Sequence, residues 1–503
     1  MAKYIETEAS QGQGIFLSIN LEEQLIPGTF EYMLDKLIGN QIDISVFDKN
    51  YKNDDTGAPA IHPRILIKLV IYGYSKGVKS SRGLEELCKN NIIAKALAED
   101  TEPHWTTIAG FISGNEDGFK NIFIKVLTYC SELRLIGGET FAVDGCRLPS
   151  NASIDLTGTE KDLEKRLGIY RRMAENHIEK HKRHDEQKIT DKETERHFQE
   201  RQNKLNRRIE KIEHFLEKLE KKEGRRVKEI KSNVTDNESA LIFDSKKYIQ
   251  GYIGMAVTDK KGQIIVGAQA VGSANEGEHF PQMLGRTLAN IDESGLKRKK
   301  KTKPVMLADK NYFSEENLKA CKEHGVEAVI ADRRYKQRLG NEKNIRYETD
   351  DFKYYKNGDY YKCPNGKKLA YKGTRPLDGQ EGKSYKASMK DCRVCPLKTK
   401  CLKSKKDISE IKHGRTLLIH ESNSAGSLSG ILRKKLNTRE YQDIYAYRLQ
   451  IIEPVFSNIT YCKGLDRFTL RGKKKVNAQW QAYCIMHNLG KCLKGYNLRE
   501  GYA

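Results

Sequence analysis

The reading of the chain turns on Tyr445-Ala-Tyr-Arg448-Leu-Gln-Ile-Ile-Glu453-Pro-Val-Phe-Ser-Asn-Ile459, followed by Arg467-Phe-Thr-Leu-Arg471-Gly472. Apolar residues recur through the first part at helical spacing, which predicts an amphipathic helix with a single acid, Glu453, in its middle. A basic segment ending in glycine follows it. Two acids far upstream, Asp144 and Asp309, each close an apolar strand-like run: Glu139-Thr-Phe-Ala-Val-Asp144 and Pro304-Val-Met-Leu-Ala-Asp309.

Working outward, residues 1–137 read as all-helical. Pro63 opens a helix that Gly73 and Gly77 end, and Ser80-Ser81 cap the next. Phe119, Ile122, Phe123, Val126, Cys130 and Leu133 form one helical stripe. This helix-turn-helix order suits a DNA-reading module as well as it suits a plain bundle. The first part of a core, 138–157, then gives way to a Lys-, Arg- and Glu-rich stretch, 158–232. There Leu205, Ile209, Ile212, Leu216 and Leu219 step by four and three, predicting a coiled-coil-like helical insert.

The core resumes over 233–334. Tyr248–Val257 and Gln263–Val271 make a hairpin about Asp259-Lys-Lys-Gly262, a helix follows near 280–291, then the strand ending at Asp309, a helix capped by Ser314, and a strand ending at Asp332. A Cys-rich insert, 335–438, separates these from the helix of Glu453 and a basic tail, 439–503. Without its inserts this is the order of a ribonuclease H-like α/β core, a mixed five-stranded sheet with helices, preceded by the all-α N-terminal domain.

Hard carboxylate oxygens that leave room for water suit Mg²⁺ or Mn²⁺, and a pair of such ions serves phosphoryl transfer. Asp144, Asp309 and Glu453 are therefore the candidate ligands. Asp332 competes, but the adjacent Arg333-Arg334 point to a salt bridge. Glu276, Glu278 and His279 lie in a loop that could approach the site, but they read rather as charges at a helix N-terminus, and Asp236 as a weaker supporting acid. Cys363, Cys392, Cys395 and Cys401 suit tetrahedral Zn²⁺, although the uneven spacing also allows reduced, buried cysteines.

The chain has 503 residues, 31% of them charged, and a net charge of +22. That imbalance favours a polyanionic partner, and the tract Lys297–Lys303 is a candidate phosphate contact. Eleven cysteines in so long a chain do not form a disulfide framework. The start, Met1-Ala-Lys-Tyr-Ile-Glu, lacks an apolar signal core and the apolar run near 65–74 is broken by Lys68, so a cytoplasmic protein without membrane association is expected.

Phe141-Ala-Val-Asp144-Gly145, Leu307-Ala-Asp309-Lys-Asn-Tyr312-Phe313 and the Arg448–Phe456 and Arg467–Gly472 blocks resemble those of bacterial insertion-sequence DDE transposases, in the group with a Tyr-Arg-Glu-Lys signature. Ile61-His-Pro-Arg64, Tyr72-Gly-Tyr74 and Ser80-Ser-Arg-Gly-Leu-Glu-Glu86 extend the resemblance over nearly the whole chain. It implies metal binding by Asp144, Asp309 and Glu453, and positioning of the acid or the DNA by Tyr445 and Arg448. It also implies binding of terminal inverted repeats, cleavage, and strand transfer into target DNA by a homodimer. Two departures stand out. One extra residue separates Arg448 from Glu453, and the signature Lys falls near Thr460, which leaves Lys463, Arg467, Arg471 and Lys473 as DNA contacts. A catalytically inactive derivative acting as a repressor, or a nuclease on the same fold, is the alternative.

Overall fold

The computed structural model describes residues 18–51, 59–186, 192–220, 230–244, 247–296, 303–335, 339, 347, 349–377, 380–402, 413–419 and 427–502. Most of the Lys297–Lys303 tract lies outside the described residues. The chain divides into two compact units, residues 1–111 with 493–503 and residues 112–492.

The first unit is helical. Helices α1 (Phe30–Lys36), α2 (Pro63–Ser75), α3 (Ser81–Asn90) and α4 (Ile92–Leu97) follow in order, and α5 (Trp105–Gly114) begins here. The expected caps form: Pro63 opens α2, and the Ser80 hydroxyl accepts the Gly83 N–H at 3.1 Å. Helices α2 and α3 pack so closely that a Cβ on Gly73 would lie 2.0 Å from Leu84 Cδ2. Lys68, 1% exposed, is held by Asp35 at 2.8 Å and Glu99 at 3.1 Å, which offsets the cost of burying its charge.

The second unit opens with α6 (Glu116–Glu132), whose stripe Phe119, Ile122, Phe123, Val126 and Cys130 is buried as its spacing predicts. Strand β1 (Thr140–Pro149) leads to the short pair β2 (Thr157–Gly158) and β3 (Ser232–Asn233). Between these two the long helices α7 (Glu160–Glu186) and α8 (Lys192–Glu217) form the expected hairpin insert, closed at its base by Leu156, Leu163 and Ile212. Next come β4 (Ala240–Asp244), β5 (Lys247–Asp259), β6 (Ile265–Val271), α9 (Phe280–Glu293), β7 (Val305–Ala308), α10 (Glu315–Glu323) and β8 (Glu327–Ile330).

The sheet runs β4-β5-β1-β7-β8, with β6 also paired to β5. It therefore has six strands where five were expected. The extra one, β4, pairs with the start of β5 from Ala240↔Gly251 to Asp244↔Lys247, leaving the rest of that edge to β6. Strand β5 is buried on both faces over most of its length, as a central strand must be. β1 is antiparallel to β5 and parallel to β7.

The Cys-rich insert has a sheet and an apolar cluster of its own. Strands β9 (Lys353–Tyr355), β10 (Tyr360–Lys362), β11 (Lys368–Leu377), β12 (Gln380–Ala387) and β13 (Thr416–Ile419) form an antiparallel sheet around Phe352, Leu369, Tyr385 and Leu417. The short helices α11 (Met389–Arg393) and α12 (Lys398–Cys401) carry three of the four cysteines on or beside them.

After α13 (Leu428–Lys435) comes α14 (Arg439–Ser457), the helix of Glu453, and the chain ends on α15 (Lys473–Glu500). The segment read as a basic tail is thus mostly a buried helix. Its face carries amides as well as apolar groups, and these satisfy the open edge of β6. Asn477 Oδ1 accepts the Ala270 N–H, Gln481 Nε2 donates to Ala268 O, and Asn488 pairs with both backbone groups of Ile265 at 2.9 and 2.8 Å. Trp480, fully buried, donates to Met255 O at 3.0 Å.

Candidate active site

Backbone register brings the first two acids together. β1 and β7 are in parallel register through Ala142↔Leu307. Two residues beyond that pair come Asp144, still within β1, and Asp309, just past the end of β7, close enough for the charge of Asp144 to act on Asp309. The Asp309 carboxylate caps the turn after β7, accepting the Asn311 N–H at 2.8 Å. Burial raises its pKa, and the charge of Asp144 adds to that against the Asn311 N–H bond.

From α14, Arg448 Nη1 donates to Asp144 Oδ2 at 2.8 Å, and the Arg448 side chain is 12% exposed. Tyr445, one turn earlier, packs edge-on against Tyr335 at 4.5 Å, and burial pushes its hydroxyl up to about 12. The pair Tyr445 and Arg448 is thereby fixed beside the two aspartates. Ile451, Ile452 and Val455, near Arg448 on the helix surface, are buried.

Glu453 is placed differently. Five residues from Arg448, it lies about 140° further round the helix, is exposed, and has no hydrogen-bond or ion-pair partner among the described residues. Pro454 follows it inside the helix. Among the described residues, no three His, Cys, Asp or Glu side chains are gathered so as to hold a metal ion as they stand.

The acid that does join Asp144 and Asp309 is Glu276, which the sequence presented as one of several charges at a helix start. It is 4% exposed, accepts from Asn311 Nδ2 at 3.0 Å, and lies 3.9 Å from Arg147. Its other oxygen, Oε2, is buried without a hydrogen bond. A Cβ on Gly145 would sit 2.5 Å from that oxygen, so the glycine after Asp144 is what admits Glu276 beneath the site. Burial, and then the charges of Asp144 and Asp309 working against the Asn311 bond, push Glu276 up to about 7. Its signal in the sequence was weak: a single 3-10 turn, Glu276–His279, has no periodicity to read. Of the other two charges there, His279 is half-buried and lowered by burial, and Glu278 accepts from Asn275.

The site carries three carboxyl groups against the guanidinium of Arg448 and the more distant Arg147. Hard oxygen donors of this kind are the type a divalent cation takes, although the three are not gathered as a metal site as they stand. Asp332 is set apart from it, with Arg433 at 3.7 Å and the Arg334 N–H at 3.2 Å. The guanidinium of Arg334 reaches Asp351 at 2.9 Å, and Arg433 also pairs with Asp332. Asp236 accepts from Tyr252 OH at 2.8 Å and from the Gly472 N–H at 3.3 Å, anchoring the loop after α14.

That loop is clasped to the end of β1. Arg467 donates to Ser150 O at 3.1 Å, Arg471 to Asn151 O, and the Phe468 N–H to Pro149 O. Arg471 and Lys473 remain exposed, and the Lys473 N–H is held by Glu238. Lys463 lies just beyond the turn that ends α14 and is partly exposed.

In the insert, all four of Cys363, Cys392, Cys395 and Cys401 line one cavity of about 30 Å³. N–H groups already point at the sulfurs: Lys367 N to Cys363 at 3.3 Å, Arg415 N to Cys392 at 3.4 Å, and Asn365 Nδ2 to Cys395 at 3.5 Å. Burial raises the Cys392 and Cys401 thiols. Cysteine sulfurs with N–H donors beside them are the type of donor zinc takes, although the four are not gathered as a metal site as they stand.

Residues 362–493 match the family model described as a transposase DDE domain, and residues 19–114 match that described as a transposase domain (DUF772). The first spans the four cysteines, Arg448 and Glu453, and begins beyond Asp144 and Asp309. No curated protein matches the chain. No helix among the described residues is long and apolar enough to cross a membrane.

Proposed function

We propose that this chain, which belongs to the insertion-sequence DDE transposases, binds the terminal inverted repeats of its element, cleaves DNA at their ends, and joins those ends to target DNA. Its core is then ribonuclease H-like, with β4 as an added edge strand. What supports the reading is that Asp309, just past the end of β7, lies near enough to Asp144 on the paired strand β1 to feel its charge, with Arg448 reaching Asp144 from the helix of Glu453.

In this reading Asp144, Asp309 and Glu453 would hold two divalent cations, Mg²⁺ or Mn²⁺, once Glu453 turns in from its exposed position on α14. When bound, these supply the Lewis acidity that activates the attacking oxygen and stabilises the leaving one. The protein's own residues do the positioning. Arg448 orients the Asp144 carboxylate, Tyr445 braces Arg448, and Glu276 with Asn311 fixes the turn that carries Asp309. Lys463, Arg467, Arg471 and Lys473 line the DNA beside the cleavage point, where phosphate contacts set register. The 1–137 domain reads the ends, and a homodimer holds two of them, in the cytoplasm.

Cys363, Cys392, Cys395 and Cys401 would hold one Zn²⁺ that stabilises the 335–438 insert. Removing zinc with a chelator is expected to lower the melting temperature, and Cys395→Ser to abolish stoichiometric zinc in elemental analysis.

The deciding experiment is metal-dependent cleavage of a duplex that carries the element's end. Asp144→Asn and Asp309→Asn should each abolish product while leaving DNA binding intact. Full Mg²⁺-dependent cleavage by Asp144→Asn would sink the assignment.

A further inference from the structure

The helical hairpin carries a charged feature that the catalytic reading does not use. Arg201, Lys204, Arg208, Lys211 and Lys218 follow one another at intervals of three, four, three and seven, so they share one face of α8 and its immediate continuation. All five are exposed. The stripe is roughly 25 Å long.

Two open clefts lie along it. One, of about 360 Å³, is lined by Arg201, Lys204, Arg207, Arg208 and Lys211 with Met173 and Leu205. The other, of about 300 Å³, is lined by Lys211, Lys218 and Arg471 with His214, Phe215, Val234 and Thr235. Lys211 belongs to both, so the cationic surface is continuous from the hairpin to the loop that follows α14. Neither cleft has a carboxylate in its lining.

Several acids of the hairpin are engaged by other cations. Glu213 pairs with Arg171 at 2.5 Å, Glu179 with Arg183, and Glu200 with Arg196. Among the described residues, Arg201, Lys204, Lys211 and Lys218 are in no ion pair, and Arg208 lies over the Tyr170 ring at 5.5 Å. A solvated face of a charged helix ordinarily mixes its signs through i,i+4 pairs. This face keeps its cations unneutralised over its whole length.

We propose that this face is a track for the phosphate backbone of double-stranded DNA, leading from α8 past Arg471 to the catalytic sheet. The proposal rests on the reading of the chain as a protein that acts on DNA, and it adds the hairpin to the DNA-holding surface. Duplex DNA carries a charge for about every 1.7 Å of its axis, so the stripe faces ample phosphate for each cation. Apart from His214 and Thr235, whose hydroxyl is already bonded to Asn233, the polar side chains lining the clefts are flexible cations, so the contact is chiefly with the backbone and largely independent of sequence.

The test measures binding of the full-length protein to a fluorescent duplex of arbitrary sequence over a series of salt concentrations. Lys204→Ala/Arg208→Ala/Lys211→Ala should weaken binding at moderate salt by at least about tenfold and lower the slope of log K against log[salt] by about 2 to 3. Arg183→Ala/Arg196→Ala, which removes cations already paired to glutamates, should change neither. Circular dichroism checks that the exposed substitutions leave the hairpin folded, and Lys204→Gln/Lys211→Gln provides a second variant.

An unchanged slope in both stripe variants overturns the track. If Asp144-dependent cleavage persists in that case, the transposase reading stands without it. A wild-type protein that binds no duplex overturns both. A stripe variant that changes sedimentation but not DNA binding assigns the face to a second copy of the chain and also overturns the proposal.

Discussion

Arg448 Nη1 lies 2.8 Å from Asp144 Oδ2, joining a helix near the end of the chain to the central strand of the sheet. The ion pair is largely buried and is made beside Asp309 and Glu276, where charge of the opposite sign is in excess. It therefore fixes the direction of one carboxylate relative to the other. Arg448→Ala is expected to reduce single-turnover cleavage by about 10² with little change in DNA affinity. Arg448→Lys keeps the charge but loses the planar fork, and should fall between. Wild-type cleavage by Arg448→Ala would remove Arg448 from the site.

Gly145 makes a second constraint on the same strand. A Cβ there would meet Ile253 Cγ2 at 2.4 Å and Glu276 Oε2 at 2.5 Å. Neither neighbour has free space to withdraw into, since Ile253 is fully buried and Glu276 is 4% exposed. Gly145→Ala should cost about 1–3 kcal/mol, the usual cost of overpacking a core. Urea unfolding reads this directly, and an unchanged midpoint would show that the strand yields without cost.

The start of β1 was legible, but that strand runs on through Asp144 to Pro149, so Asp144 sits in mid-strand and not at an end. The strand before Asp309 was legible because its signals are local: an apolar run, an acid, then a turn. The β5–β6 hairpin was legible for the same reason, through its turn at Asp259–Gly262. What escaped depends on partners distant in sequence. Glu276 becomes a site residue only because Gly145 and Asn311 come to meet it. Ala240–Asp244 is a strand because β5 offers it an edge. Lys473–Glu500 looked like a tail because Asn477, Gln481 and Asn488 are polar, yet each is spent on the backbone of β6. The Cys-rich insert hid its sheet in short mixtures of Tyr and Lys, such as Tyr360-Tyr-Lys362, which carry no apolar–polar alternation.

That use of amides gives a further prediction. Asn488 satisfies both the N–H and the C=O of Ile265 in a buried setting. Asn488→Leu fills similar space but leaves two backbone groups without partners, at a cost of about 1–3 kcal/mol each. Denaturant unfolding of Asn488→Leu should show that loss, and Asn488→Asp should be destabilising as well, because it cannot donate to Ile265 O.

His487, on the same helix, gives the fold a pH dependence of known sign. It is 3% exposed and bonds to Gln263 O at 3.0 Å, and burial depresses its pKa to about 4, with Lys491 adding to the shift. The unfolded chain takes up this proton near pH 6.5, so between there and about 4 the unfolded state binds more protons than the folded one. Stability from neutral His487 is full above the upper value and is lost as pH falls through the window. The buried acids Asp236, Asp259 and Glu276 are raised by burial and contribute with the opposite sign. The difference between wild type and His487→Gln therefore isolates the histidine: the stability advantage of wild type over the variant should shrink as the pH of urea unfolding is lowered from 7 toward 5. A difference that stays constant across that range would show that His487 is not buried in its neutral form.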